Sequence, residues 1–198
     1  MTEANIKENW YYFRSLANQL QQTEQFVDHS VNEKKEMLNG STFSNEFAKI
    51  LMLAASEFEV IAKALCKESG LDIHDNDNIV KITKKLLEKY PNIVKTQIIT
   101  PYMTFTPLEK WAVVSDKVEG IDWWSNYNGV KHNRNNNFTS ANLNNCVTSM
   151  ASLMVLELYL SQAVLGNLDS ITSIGCCFDC DYGLAYIVSN PGHKLPDF

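Results

Sequence analysis

The chain predicts a mainly α-helical fold, a bundle of four or five helices with a small irregular or β insertion. Three observations carry that expectation. Apolar residues recur at three- and four-residue spacing in several separate stretches, which is the period of an amphipathic helix. Capping residues and glycine stops bracket those stretches. One Thr- and Pro-containing region, near 91–108, breaks the pattern and reads as extended or irregular. Residues 1–165 are expected to form the bundle and residues 166–198 an extended tail packing on it.

In chain order, residues 6–28 carry the stripe Trp10, Phe13, Leu16, Ala17, Leu20 and Val27, with polar residues between. Residues 29–42 are charged and end in the turn signal Asn39-Gly40-Ser41. Ser44 is a candidate N-cap for the next helix, whose stripe is Phe47, Leu51, Ala54, Phe58, Ile61 and Leu65, with Gly70 as its stop. A third helix is expected from Asn78 to Tyr90, with Ile79, Ile82, Leu86 and Leu87 inward. Gly120 precedes Asp122, a candidate N-cap for a short helix. Thr139 or Ser140 would cap the last long helix, about 140 to 164, which Gly166 ends. That last helix is apolar on most faces, which suits the centre of a bundle or a subunit interface.

The 198 residues, 45% of them hydrophobic, are enough for one sizeable core. Seventeen basic and 23 acidic residues leave a net charge of −6, so any nucleic-acid role must be local rather than a general coating of polyanion. No stretch reads as a secretory signal, and no run reaches the roughly 18 apolar residues of a membrane span. The five cysteines do not form an even disulfide framework, and a soluble cytoplasmic protein is expected. His29 and His74 fall in polar loops and are expected to face solvent.

The richest chemistry lies between Trp123 and Phe138. Two tryptophans, Tyr127, several amides, Lys131, His132 and Arg134 are gathered there, and no acidic residue occurs from Trp123 to Leu156. On a helix, Asn128 and His132 share a face, as do Tyr127 and Lys131, and Tyr127 aligns with Arg134 seven places on. Asn128 would hold the imidazole of His132 in one tautomer, ready to move a proton near neutral pH. Arg134 and Lys131 would bind a phosphate or its developing charge. The same residues equally suit a site that binds phosphate without reacting. Tyr127 and Trp124 are assigned to substrate contact, although Trp123, Trp124 and Phe138 also fit the commoner use of aromatics as core anchors.

The pattern Tyr127-Asn128-x-Val130-Lys131-His132-x-Arg134 before a terminal apolar helix, with Glu57 on the second helix, resembles the HEPN superfamily. That resemblance implies a small, often dimeric helical bundle from defence or toxin–antitoxin systems, many of whose members are metal-independent ribonucleases. It implies His132, Asn128 and Arg134 as catalytic residues, RNA or a nucleotide as ligand, a homodimer, and an antitoxin-like protein partner. The family's arginine position falls on Tyr127 in this chain, and Arg134 is the nearby arginine able to replace it. The alternative is a noncatalytic dimerisation or nucleotide- or RNA-binding module with a degenerate motif.

Glu57 would support His132 or Arg134, or else sit at the boundary in a surface ion pair. Cys176, Cys177 and Cys180, with His193 further on, supply half of a zinc pattern and also suit thiols of a short strand, so no metal and no cofactor are assigned. No phosphate-binding glycine loop, nucleophile elbow or HExxH pattern is present.

Overall fold

The computed structural model describes residues 1–100, 102–166, 185–187 and 195–198, the segment 185–187 through its backbone alone. Among the described residues there are five α-helices: α1 Glu3–Gln22, α2 Asn45–Glu68, α3 Ile79–Lys89, α4 Asp122–Asn137 and α5 Leu143–Leu165. Five strands accompany them: β1 Gln97–Ile99, β2 Thr104–Phe105, β3 Ala112–Val114, β4 Lys117–Glu119 and β5 Ala185–Ile187. The expected helical bundle with a small β insertion is what forms.

The helix boundaries follow local chemistry. Thr2 and Asn5 make a reciprocal capping box at the start of α1. The Ser44 hydroxyl accepts from the Phe47 N–H at 3.0 Å, and Asn78 accepts from Lys81 N–H at 3.0 Å. Gly70 and Gly166 lie in the left-handed region, with φ of 69° and 78°, where the chain leaves α2 and α5.

Two caps differ from expectation. Asp122 is the first helical residue of α4 rather than its cap. Ile121 takes the cap position without a side-chain hydrogen bond, because its buried side chain anchors the entry to the core. The last helix starts later than expected because residues 138–140 form a turn of 3₁₀ helix, and Asn142 accepts from Asn145 N–H at 3.0 Å.

The core is centred on α5, which packs against α2 and α1. Buried residues run along α5 without a gap from Ser149 to Gln162. The helix has the length and mean hydropathy of a membrane span, but 83% of that span is buried by its own chain. It is therefore the axis of the bundle. Two tryptophans tie neighbouring helices to its serines. Trp10 Nε1 of α1 donates to Ser161 Oγ at 2.9 Å, and Trp123 Nε1 of α4 donates to Ser152 Oγ at 3.2 Å. Phe58 of α2 gathers Trp111, Trp123 and Trp124 around one ring, with centroids 5.7, 5.0 and 6.1 Å away.

The β insertion is longer than 91–108. Strands β2, β1 and β5 form an antiparallel sheet, and β3 and β4 form a separate hairpin. The hairpin turns at Ser115 and Asp116, both with positive φ (48° and 56°), the geometry that matches the twist of paired strands. Gly120 then leads into α4 at φ 78°. A Cβ there would stand 1.8 Å from the Lys110 carbonyl oxygen, so only glycine fits the approach.

The end of the chain packs on the bundle. Leu195 is buried, the Tyr159 hydroxyl donates to the Pro196 carbonyl at 2.6 Å, and Phe198 stacks on Tyr90. Cys176, Cys177, Cys180 and His193 lie outside the described residues. His29 is buried rather than exposed. The loop after α1 folds back so that its Nε2 meets Thr23 Oγ1 at 2.9 Å, and burial lowers its pKa. His74 is exposed, as expected.

Candidate functional site

The Trp123–Phe138 segment divides into an inward half and an outward half. Trp123 and Tyr127 are buried, and Trp124 is half-buried between Phe58 and Tyr127. These aromatics anchor α4 to the core, with Trp124 packed against Phe58, Trp123 and Tyr127. From Lys131 to Asn136 every residue is exposed.

The expected pairing of Tyr127 with Lys131 forms. The Lys131 ammonium donates to the Tyr127 hydroxyl at 3.1 Å and lies 5.3 Å from the ring centre. That hydrogen bond raises the lysine pKa and keeps it protonated. The expected alignment of Tyr127 with Arg134 does not form. Asn133 leaves helical geometry at φ −151° and ψ 70°, and this kink turns Arg134 away from the first part of the helix. Asn137 closes the kink by donating from Nδ2 to the Asn133 carbonyl at 2.8 Å. Gly129 makes room for it, since a Cβ there would come within 3.1 Å of Asn137 Cγ.

The kink places Arg134 opposite the start of α2. Arg134 and Lys131 line an open cleft of about 510 Å³ with Asn45, Ala48, Lys49, Met52 and Val130. Three cations from two helices thus face one cleft whose floor is apolar and whose lining contains no carboxylate. Lys49 pairs with Glu46 at 2.7 Å, but no ion pair among the described residues involves Lys131 or Arg134. Unpaired, exposed cations converging on a concave surface suit an anion with several oxygens.

The remaining candidates fall elsewhere. Asn128 donates its amide to the Trp124 carbonyl at 2.9 Å and makes no hydrogen bond with His132, because the carbonyl one turn back on its own helix is the nearer partner. His132 is exposed and lines neither this cleft nor the one beside it. Glu57 faces away from the motif toward α1 and α5, where its charge acts on Tyr12 and on Glu157. The α2 carboxylate whose field reaches Lys131 is Glu59, itself bonded to Lys63 at 2.7 Å.

Asn45 and Lys49 are the site residues that sequence reasoning missed. Their four-residue spacing puts them on one face of α2, which the sequence does show. That this face meets α4 is a tertiary fact. Among the described residues no cluster of three or more metal-ligating side chains forms. No protein-family model matches the chain, and neither a curated protein sequence nor a solved structure matches it.

Proposed function

We propose that this protein is an RNA-associated domain with a HEPN-like motif that holds the phosphate backbone of RNA in the cleft between α2 and α4. The observation that carries the reading is the convergence of Lys49, Lys131 and Arg134 on one carboxylate-free cleft. The net charge of −6 argues against a general coating of polyanion and favours a local site. Binding without cleavage is favoured over a ribonuclease centre, because His132 stands apart from the cleft and Asn128 does not orient it.

The test is fluorescence anisotropy with a labelled single-stranded RNA over a salt series. Three phosphate contacts on a single strand give a slope of log affinity against log salt of about −2. The Lys49→Ala, Lys131→Ala, Arg134→Ala triple variant should lose nearly all of that slope. No binding at low salt, or equal binding by the triple variant, would overturn the proposal.

A further inference from the structure

A second cleft adjoins the first across a shared wall. It measures about 390 Å³ and is lined by Asn45, Arg134, Asn135 and Phe138. Asn45 and Arg134 line both clefts, so whatever fills one lies against the occupant of the other. The two differ in chemistry. The first has the lysines. The second has two amides, the Arg134 guanidinium and one aromatic ring, and no lysine or carboxylate.

These groups are available. Among the described residues no hydrogen bond from another side chain or from the backbone reaches the Asn45 or Asn135 amide, and Arg134 has no ion pair. Each amide offers both donors and an acceptor, the complement of the mixed edge of a nucleobase. Phe138 is held edge-to-face against Phe43, with centroids 5.3 Å apart and planes at 78°, which fixes its ring at the rim of the cleft. Arginine planes and aromatic rings are the surfaces on which unpaired bases stack.

We propose that the Asn45–Asn135–Phe138 cleft is a nucleobase subsite. It takes one unpaired base of a single-stranded RNA whose adjacent phosphates lie on Lys49, Lys131 and Arg134. The inference rests on the phosphate-binding reading and adds a preference to it. A base in a duplex has its edge paired and its face stacked, so it cannot enter. Single strands are therefore selected over duplexes, and strands with bases over strands without them.

The experiment compares four probes on the whole protein: a single-stranded RNA, an abasic strand of equal length and charge, the same RNA as a duplex, and inorganic polyphosphate as competitor. The single strand is expected to bind roughly tenfold more tightly than the abasic strand or the duplex, the scale of one base stacked on an aromatic ring. Phe138→Leu and the exposed-site variant Asn135→Ala should each shrink that ratio and leave competition by polyphosphate unchanged. Asn135→Ala keeps the test intact should the loss of the Phe138 ring disturb folding. Equal affinity for all three nucleic acids with intact polyphosphate competition would overturn the base subsite alone. Failure of polyphosphate and of every nucleic acid to bind would overturn the phosphate cleft as well.

Discussion

The outer half of α4 and the middle of α5 both set polar side chains among apolar ones, and they treat them in opposite ways. On α4, Lys131, Arg134 and Asn135 reach water, and the last two have no protein partner among the described residues. Leaving them unpaired costs little, since solvent satisfies them until a ligand arrives. On α5, Ser152 and Ser161 are fully buried and take their hydrogen bonds from tryptophans of neighbouring helices. Glu157, one turn before Ser161, is the exception. It is 0% exposed and neither carboxyl oxygen has a hydrogen-bond partner among the described residues. Burial, and then the charge of Glu57, push its pKa well above the usual carboxyl value, which favours the neutral acid. Unpartnered polarity on the surface is recognition capacity. The same condition in the interior is a titratable weak point.

The largest expected effect comes from cutting an interior tie. Trp10→Ala removes a fully buried ring and the bond to Ser161, and should lower the unfolding free energy by about 3–5 kcal/mol in urea melts. A loss below about 1 kcal/mol would mean that the α1–α5 seam can repack, and the contrast with α4 would weaken.

Next in size is the pH dependence of stability. A carboxyl whose pKa is raised by folding adds stability that is fully present below its unfolded value and is lost as pH rises through the folded value. Glu157 and Glu57 are both raised. Asp28, Asp75 and Asp77 are lowered by hydrogen bonds from Ser30, Lys67 and Lys81, so their effect falls below the ordinary carboxylate range and has the opposite sign. The carboxyl contribution to the melting temperature should therefore fall as pH rises from weakly acidic toward neutral, opposed in that range by His29, whose pKa burial lowers. Glu157→Gln should flatten most of that decline, with a remnant from Glu57. Identical pH slopes in the two proteins would show that Glu157 is satisfied in solution.

The smallest effect tests the outer region. His132→Ala should leave RNA affinity and thermal stability unchanged, the latter within about 0.5 kcal/mol, since the exposed imidazole lines neither of the two adjoining clefts. An RNA-cleavage assay in EDTA on the same pair sharpens this. A cleaving wild type and a silent variant would return His132 to the catalytic role its sequence context suggests.

The sequence makes the bundle legible because its signals are local. The stripes of α1 and α2, the Ser44 and Asn78 caps and the stops at Gly70 and Gly166 each depend on residues within a turn or two. The hairpin at 112–119 lies beyond the region near 91–108 that the sequence marks as extended or irregular. Its turn, Ser115-Asp116, lacks the glycine that usually marks such a geometry. Nothing local announces the kink at Asn133 among its neighbouring asparagines, and the kink decides where Arg134 points. The placing of Lys49 and Lys131 on one cleft, the turn of Glu57 toward Glu157, and the burial of His29 depend on which helix or loop lies opposite, and a single sequence does not carry that.

Trp124 has a further consequence, an optical one. Trp10, Trp111 and Trp123 are all at most 2% exposed, so their emission follows unfolding. Trp124 is half-buried with its ring centre 5.3 Å from that of Tyr127, whose hydroxyl holds the Lys131 ammonium. An anion that draws Lys131 away changes the field on that tyrosine and, through it, on the neighbouring indole. The protein thus carries a fluorophore coupled through Tyr127 to a cation of the cleft, and a shift of tryptophan emission on adding RNA to unlabelled protein is the expected sign of ligand arrival.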